Sequence, residues 1–112
     1  MNIENTQAQM RKGILEYCIL LIIARNDAYV QDIINKLRAS KMLVVEGTVY
    51  PLLTRLKNTG LLAYRWEEST QGPPRKYYNI TEQGRQFLQA LETSLEELTT
   101  AIEILKAPHT PQ

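Results

Sequence analysis

Between residues 47 and 80 the spacing of apolar residues changes from a helical period to a period of two, so this chain must carry a helix that runs almost at once into a strand. Val49, Leu52, Leu53 and Leu56 recur at i, i+3, i+4 and i+7, the pattern of one buried helix face. At about 100° per residue, the opposite face collects Gly47, Pro51, Thr54, Arg55 and Asn58, flanked by Thr48 and Tyr50, with no carboxylate among them. Gly60 is placed as a C′ glycine and Leu61 to meet Leu56 across a Schellman stop. Pro51 fits if Thr48 is the N-cap, because an N–H at the third helical position has no intrahelical acceptor.

Beyond Gly60, Leu62, Tyr64 and Trp66 alternate with Ala63, Arg65 and Glu67, as in a half-buried strand. Gln71-Gly72-Pro73-Pro74 reads as a turn, and Arg75 to Ile80 as a second strand that pairs with the first. Tyr64 and Trp66 share one strand face and are expected in the core. The layout is a winged helix-turn-helix: a recognition helix over about 47–59 enters a major groove, and a wing over about 62–80 lies on the backbone or minor groove.

The runs GTVYPLLTRLKNTGLL and WEESTQGPPRKYYNITEQGR resemble the PadR family of bacterial transcriptional regulators, in a short form with a single C-terminal dimerisation helix. The family's usual Tyr-Gly-Tyr-Glu-Ile run is here Tyr29-Val30-Gln31-Asp32-Ile33, without the glycine. The resemblance implies a repressor that binds double-stranded DNA as a homodimer, its last helix packed on the first and last helices of its mate. It also implies release by a small aromatic effector bound between the helices. In the drug-binding type a last-helix tryptophan stacks on the ligand, whereas the only tryptophan here is Trp66, on the wing. Tyr17, Phe87 and the leucines of the last helix remain to line such a site.

The expected fold is mainly α with a small β-hairpin: a winged helix-turn-helix over residues 1–80, a dimerisation helix over 81–106 and a flexible tail over 107–112. A first helix starts between Ile3 and Met10, and its run from Ile14 to Ala24 is apolar enough to be covered on more than one side. That run is too short to span a bilayer and contains Glu16. Arg11 and Lys12 precede it, but Ile22-Ile23-Ala24 is not a small-x-small cleavage pattern, which argues against export. Asn26 ends this helix, and Asp27 is a candidate cap for the next, whose core face is Ile33, Ile34 and Leu37. Thr81 caps the last helix, where Leu88, Leu91, Leu95, Leu98, Ile102 and Leu105 step by 3 and 4 in a heptad seam. This seam either joins a second copy or closes the monomer core, and both parallel and antiparallel pairing satisfy it.

Charge points to the same stretch. Thirteen Lys plus Arg against twelve Asp plus Glu leave a net +1, but residues 47–80 hold +3 and residues 81–112 hold −3. The expected DNA contacts are Thr48, Tyr50, Thr54, Arg55 and Asn58 on the helix and Arg75, Lys76 and Tyr77 on the wing. Arg55 serves either a guanine or a phosphate, and Tyr50 either a base edge or packing under the wing. Lys36, Arg38 and Lys41 are phosphate contacts or solvated charges. Cys18, the single cysteine, rules out an intrachain disulfide, is expected to be buried and inert, and fits a reducing cytoplasmic setting. No nucleophile motif, phosphate loop, cofactor site or metal-ligand cluster is evident, which disfavours an enzyme. A winged-helix protein–protein adaptor without DNA binding is the competing reading.

Overall fold

The structure, a computed structural model, describes residues 2–42 and 45–108. Leu43 and Val44, and residues 109–112 of the expected flexible tail, lie outside the described residues. Four helices and three strands follow in the order α1 (Ile3–Arg25), β1 (Ala28–Tyr29), α2 (Val30–Ala39), α3 (Val49–Asn58), β2 (Leu62–Ser69), β3 (Gly72–Ile80) and α4 (Glu82–Lys106). The Asn2 side chain caps α1 by accepting from the Glu4 N–H at 2.9 Å, and Asn26 ends it as expected.

The core gathers Leu15, Ile19, Leu20 and Ile23 of α1, Ile33, Ile34 and Leu37 of α2, and Val49, Leu53 and Leu56 of α3. Leu61, Leu62, Tyr78, Ile80 and Leu88 close it from the sheet and α4. Each large side chain fully buried here contributes roughly 1.5–3 kcal/mol. Among the described residues no polar or charged side chain is buried, so burial alone holds this centre.

A 3-10 turn over Glu46–Thr48 leads straight into α3, with Thr48 helical and making no side-chain cap bond. Pro51 falls at the third position of α3, where its ring breaks no hydrogen bond. Gly60 adopts φ +83°, and the Leu61 N–H reaches back to the Leu56 carbonyl at 3.0 Å, the expected Schellman stop. Helix α2 ends the same way, but with Lys41 at φ 63° and the Met42 N–H on the Leu37 carbonyl at 2.9 Å.

The expected hairpin forms from β2 and β3, and β1 joins it in a three-stranded sheet of order β1-β3-β2, because Ala28 and Tyr29 pair antiparallel with Tyr78 and Tyr77. Two expectations need correction. Asp27 does not cap α2: Tyr29 occupies the N-cap, and the Asp27 carboxylate accepts from Arg65 Nη1 at 2.6 Å. The turn is Thr70-Gln71, since Ser69 already pairs with Gly72. Pro73 and Pro74 therefore stand inside β3, opposite the single residue Glu68 in a bulge between the Glu67–Arg75 and Ser69–Gly72 pairs. They are tolerated there because β1 reaches only Tyr77 and Tyr78, so this end of β3 has a free edge that needs no N–H donors.

Helix α4 serves two environments. Leu88 is buried and Leu91 packs on the core, so the first part of the seam closes the monomer. Leu98 is 60 % exposed and Leu105 83 % exposed, while Ile102 also faces solvent. The Cα radius of gyration is 17.2 Å, against about 13 Å for a compact chain of this length, and both the first turns of α1 and the last turns of α4 are exposed.

Candidate nucleic-acid interface

The two flanks of α3 meet different neighbours. On one flank Arg55 Nη1 lies 3.2 Å from Glu16 Oε1 of α1, and Thr48 lines a depression beside Arg11, Lys12 and Leu15. On the other, Lys57 Nζ stands 5.7 Å from the ring centre of Tyr64, and Tyr50 turns toward the wing. Tyr50, Thr54 and Asn58 are left on the exposed ridge between, with the Thr54 hydroxyl donating to the Tyr50 carbonyl at 3.1 Å. This ridge carries no carboxylate and measures about 12 Å along the helix, a length suited to a major groove.

Ion pairs sort the cations of this region. Arg65 is held by Asp27 and by Glu67, and its hydrogen bond to Asp27, then that to Glu67, raises its pKa further above its ordinary value. Its charge is consumed in fastening β1 to β2. Arg38 pairs with Glu46 at 3.1 Å, tying α2 to the turn that opens α3. Among the described residues Lys57, Arg75 and Lys76 have no carboxylate partner.

Arg75 and Lys76 both rest on aromatic rings of the sheet. The Arg75 guanidinium lies 4.8 Å from the ring centre of Tyr29, and Lys76 Nζ lies 4.6 Å from Tyr64 and 5.3 Å from Trp66. Tyr77 faces the other side of β3 from Lys76, its ring tilted by 60° against Tyr29 at 5.3 Å and beneath Arg65. Trp66 is the residue whose expected place fails most plainly: it is 60 % exposed, whereas Tyr64 does pack on the core. Tyr29, Gln31, Tyr50, Trp66, Arg75 and Lys76 thereby line one open groove of about 520 Å³ between α2, α3 and the wing. Trp66, Tyr29 and Gln31 were not among the expected contacts: the cross-strand pairing with Lys76 brings in Trp66, and the pairing of β1 with β3 brings in Tyr29, with Gln31 just beyond it in α2.

Residues 19–90 match the model of the transcriptional regulator PadR-like family, which covers more than half of the chain. The chain belongs to the PadR-like family. A PadR-like transcription factor from Bacteroides fragilis is 56 % identical, with 90 % of this chain and 98 % of that one aligned and a TM-score of 0.76. A PadR-like regulator from Bacillus cereus is 35 % identical over 89 % of this chain and 99 % of its own, with a TM-score of 0.78. A PadR family regulator from Eggerthella lenta reaches a TM-score of 0.84 at 28 % identity, covering 95 % of this chain and 94 % of its own. These PadR-like relatives are transcriptional regulators, not enzymes.

In this PadR-like chain a second, smaller cavity of about 130 Å³ separates α1 from α4, lined by Ile14, Tyr17, Leu91, Leu95 and Leu98 among others. Tyr17 lines it as expected, while Phe87 is exposed and lies outside it. Burial first, then Glu92, Cys18 and Glu96, raise the Tyr17 pKa and keep its phenol protonated. Cys18 is only partly buried, and burial raises the pKa of its thiol. No helix among the described residues is long and apolar enough to cross a membrane.

Proposed function

We propose that this PadR-like regulator acts in the cytoplasm as a homodimeric repressor that reads an inverted-repeat operator with α3 and grips the backbone with its wing. PadR regulators bind DNA and generally dimerise. The observation that carries the reading for this chain is the carboxylate-free ridge Tyr50, Thr54 and Asn58, set beside three cations, Lys57, Arg75 and Lys76, that have no acidic partner among the described residues. A positive surface with no carboxylate to neutralise it is complementary to a polyanion.

Dimerisation rests on the exposed end of the α4 seam. Leu98, Ile102 and Leu105 continue the register of the buried Leu88 into solvent, and Ile3, Met10 and Ile14 are exposed along α1. An apolar surface of this extent is stable in water only when another surface covers it. An effector with a flat aromatic body would enter between α1 and α4 at Tyr17. The cavity of one protomer is too small for such a ligand, so a second protomer would have to complete the site.

The test is binding of the purified protein to the DNA beside its own gene, by mobility shift and by anisotropy across a salt series. Retarded, salt-sensitive complexes that survive competition by random DNA support an operator-reading dimer. Absence of any salt-sensitive binding at low ionic strength makes the protein–protein adaptor the better reading.

A further inference from the structure

The cations of the wing and recognition helix that lack acidic partners each rest on an aromatic ring: Lys57 on Tyr64, Lys76 on Tyr64 and Trp66, and Arg75 on Tyr29. Trp66 pairs directly with Lys76 across the ladder and meets Tyr64 edge-on at 6.1 Å, yet most of its ring faces water. Folding gains little from an indole left in that position. The groove it walls contains the Gln31 amide, the Tyr50 side chain and two cations, and no Asp or Glu lines it. It is therefore rich in donors, positive, and apolar along one side.

We propose that this groove is a clamp for the DNA sugar–phosphate backbone, in which Trp66 packs on a deoxyribose while Lys76 and Arg75 hold the adjoining phosphates. The inference rests on the DNA-binding reading above and adds to it Trp66 as a contact residue. Tyr64 and Tyr29 act as positioning residues. Cations laid on ring faces lose less side-chain freedom when a phosphate arrives, and the ring quadrupoles keep their charge without neutralising it, as a carboxylate would. A free anion would engage the cations but leave the indole wall unused, whereas a backbone supplies both the charge and an apolar sugar face. Because the groove lies between the first turns of α2 and α3 and the wing, a strand held in it would pass beside the Tyr50–Thr54–Asn58 ridge.

Trp66 is the only tryptophan, so emission of the full-length protein excited selectively through tryptophan reports on this groove alone. Titration with duplex DNA at low salt should quench that emission in step with binding measured by anisotropy. Trp66→Leu should weaken cognate and random duplexes alike, by roughly two- to fivefold per half-site, with Trp66→Phe recovering most of the loss. Lys76→Gln should weaken both and make the slope of log K against log salt shallower by about 0.9 for each phosphate it ceases to neutralise. Salt-sensitive binding by the wild type with unchanged emission, together with wild-type behaviour of Trp66→Leu, overturns the clamp and leaves the regulator reading standing. If Trp66→Leu does not fold, unchanged emission with an unaltered Lys76→Gln slope overturns it equally. Equal quenching by a short polyphosphate assigns the groove to small polyanions instead, and absence of DNA binding by the wild type overturns both readings.

Discussion

Gly84 packs so closely on Leu61 that a β-carbon added to it would overlap the Leu61 carbonyl oxygen and come within 2.7 Å of Ile80 Cγ1. This contact docks the first turn of α4 on the corner where α3 gives way to β2. Thr81 fastens the same corner, its hydroxyl accepting from the Gly84 N–H at 2.9 Å and donating to the Gly60 carbonyl at 2.7 Å. The direction of α4 is thus set by the residues that terminate α3.

Gly84→Ala should destabilise the fold by about 1–3 kcal/mol, because the overlap falls on backbone that cannot move aside. Thr81→Val should cost roughly 0.5–2 kcal/mol through loss of the cap. Urea unfolding midpoints measure both, and a Gly84→Ala midpoint equal to the wild type's would show that α4 docks elsewhere.

The exposed and buried ends of the seam should respond differently to the same substitution. Leu98→Glu places its carboxylate at a position that is solvent-accessible in the monomer, so it should dissociate the dimer and leave the helical circular dichroism intact. Leu88→Glu should unfold the chain, since an unpaired carboxylate in the core costs several kcal/mol. Leu95→Glu, half-buried between the two, should dissociate the dimer with partial loss of stability. Sedimentation of a wild-type monomer at micromolar concentration would sink the assembly.

Arg55 is expected to exchange its ion pair with Glu16 for a contact with DNA. The pair is exposed on the Arg55 side and contributes about 0–1 kcal/mol to stability, so Glu16→Gln should leave folding unchanged and strengthen DNA binding with a steeper salt dependence. Arg55→Ala should weaken the cognate operator by about 1–3 kcal/mol more than random DNA if Arg55 reads a base. Equal weakening on both would reassign it to a phosphate.

Replacing Arg75 and Lys76 together by alanine should weaken cognate and random DNA about equally and reduce the salt slope by roughly one unit for each phosphate left without its cation. The wild-type dimer should prefer half-sites about one helical turn, roughly 34 Å, apart. An unchanged slope in the double variant removes the wing from the interface.

Stability should fall on the alkaline side. Burial holds the Cys18 thiol above its ordinary 9.0 and the Tyr17 phenol above its ordinary 10.0, so the unfolded chain releases these protons first as pH rises. The folded state then binds more protons than the unfolded one, and unfolding free energy decreases from about pH 9 upward. Cys18→Ser should flatten the lower part of that decline in a pH series of urea melts, and Cys18 in the wild type should react slowly with thiol reagents at neutral pH.

The elements that depend on neighbours along the chain were legible in the sequence. The amphipathic face Val49–Leu56, the Gly60 stop, the Thr81 cap and the α4 heptads follow from periodicity and capping, which act over a few residues. What only the tertiary structure decided are pairings between distant segments: Asp27 with Arg65 across 38 residues, Arg55 with Glu16, and β1 with β3. Local pattern also misplaced the wing turn, because Gly-Pro-Pro carries a turn signal that a bulge on an unpaired strand edge can absorb. Alternation put Trp66 on the same strand face as Tyr64. Alternation says nothing of where the core ends, however, and the hairpin carries Trp66 past that edge into the groove where Lys76 waits.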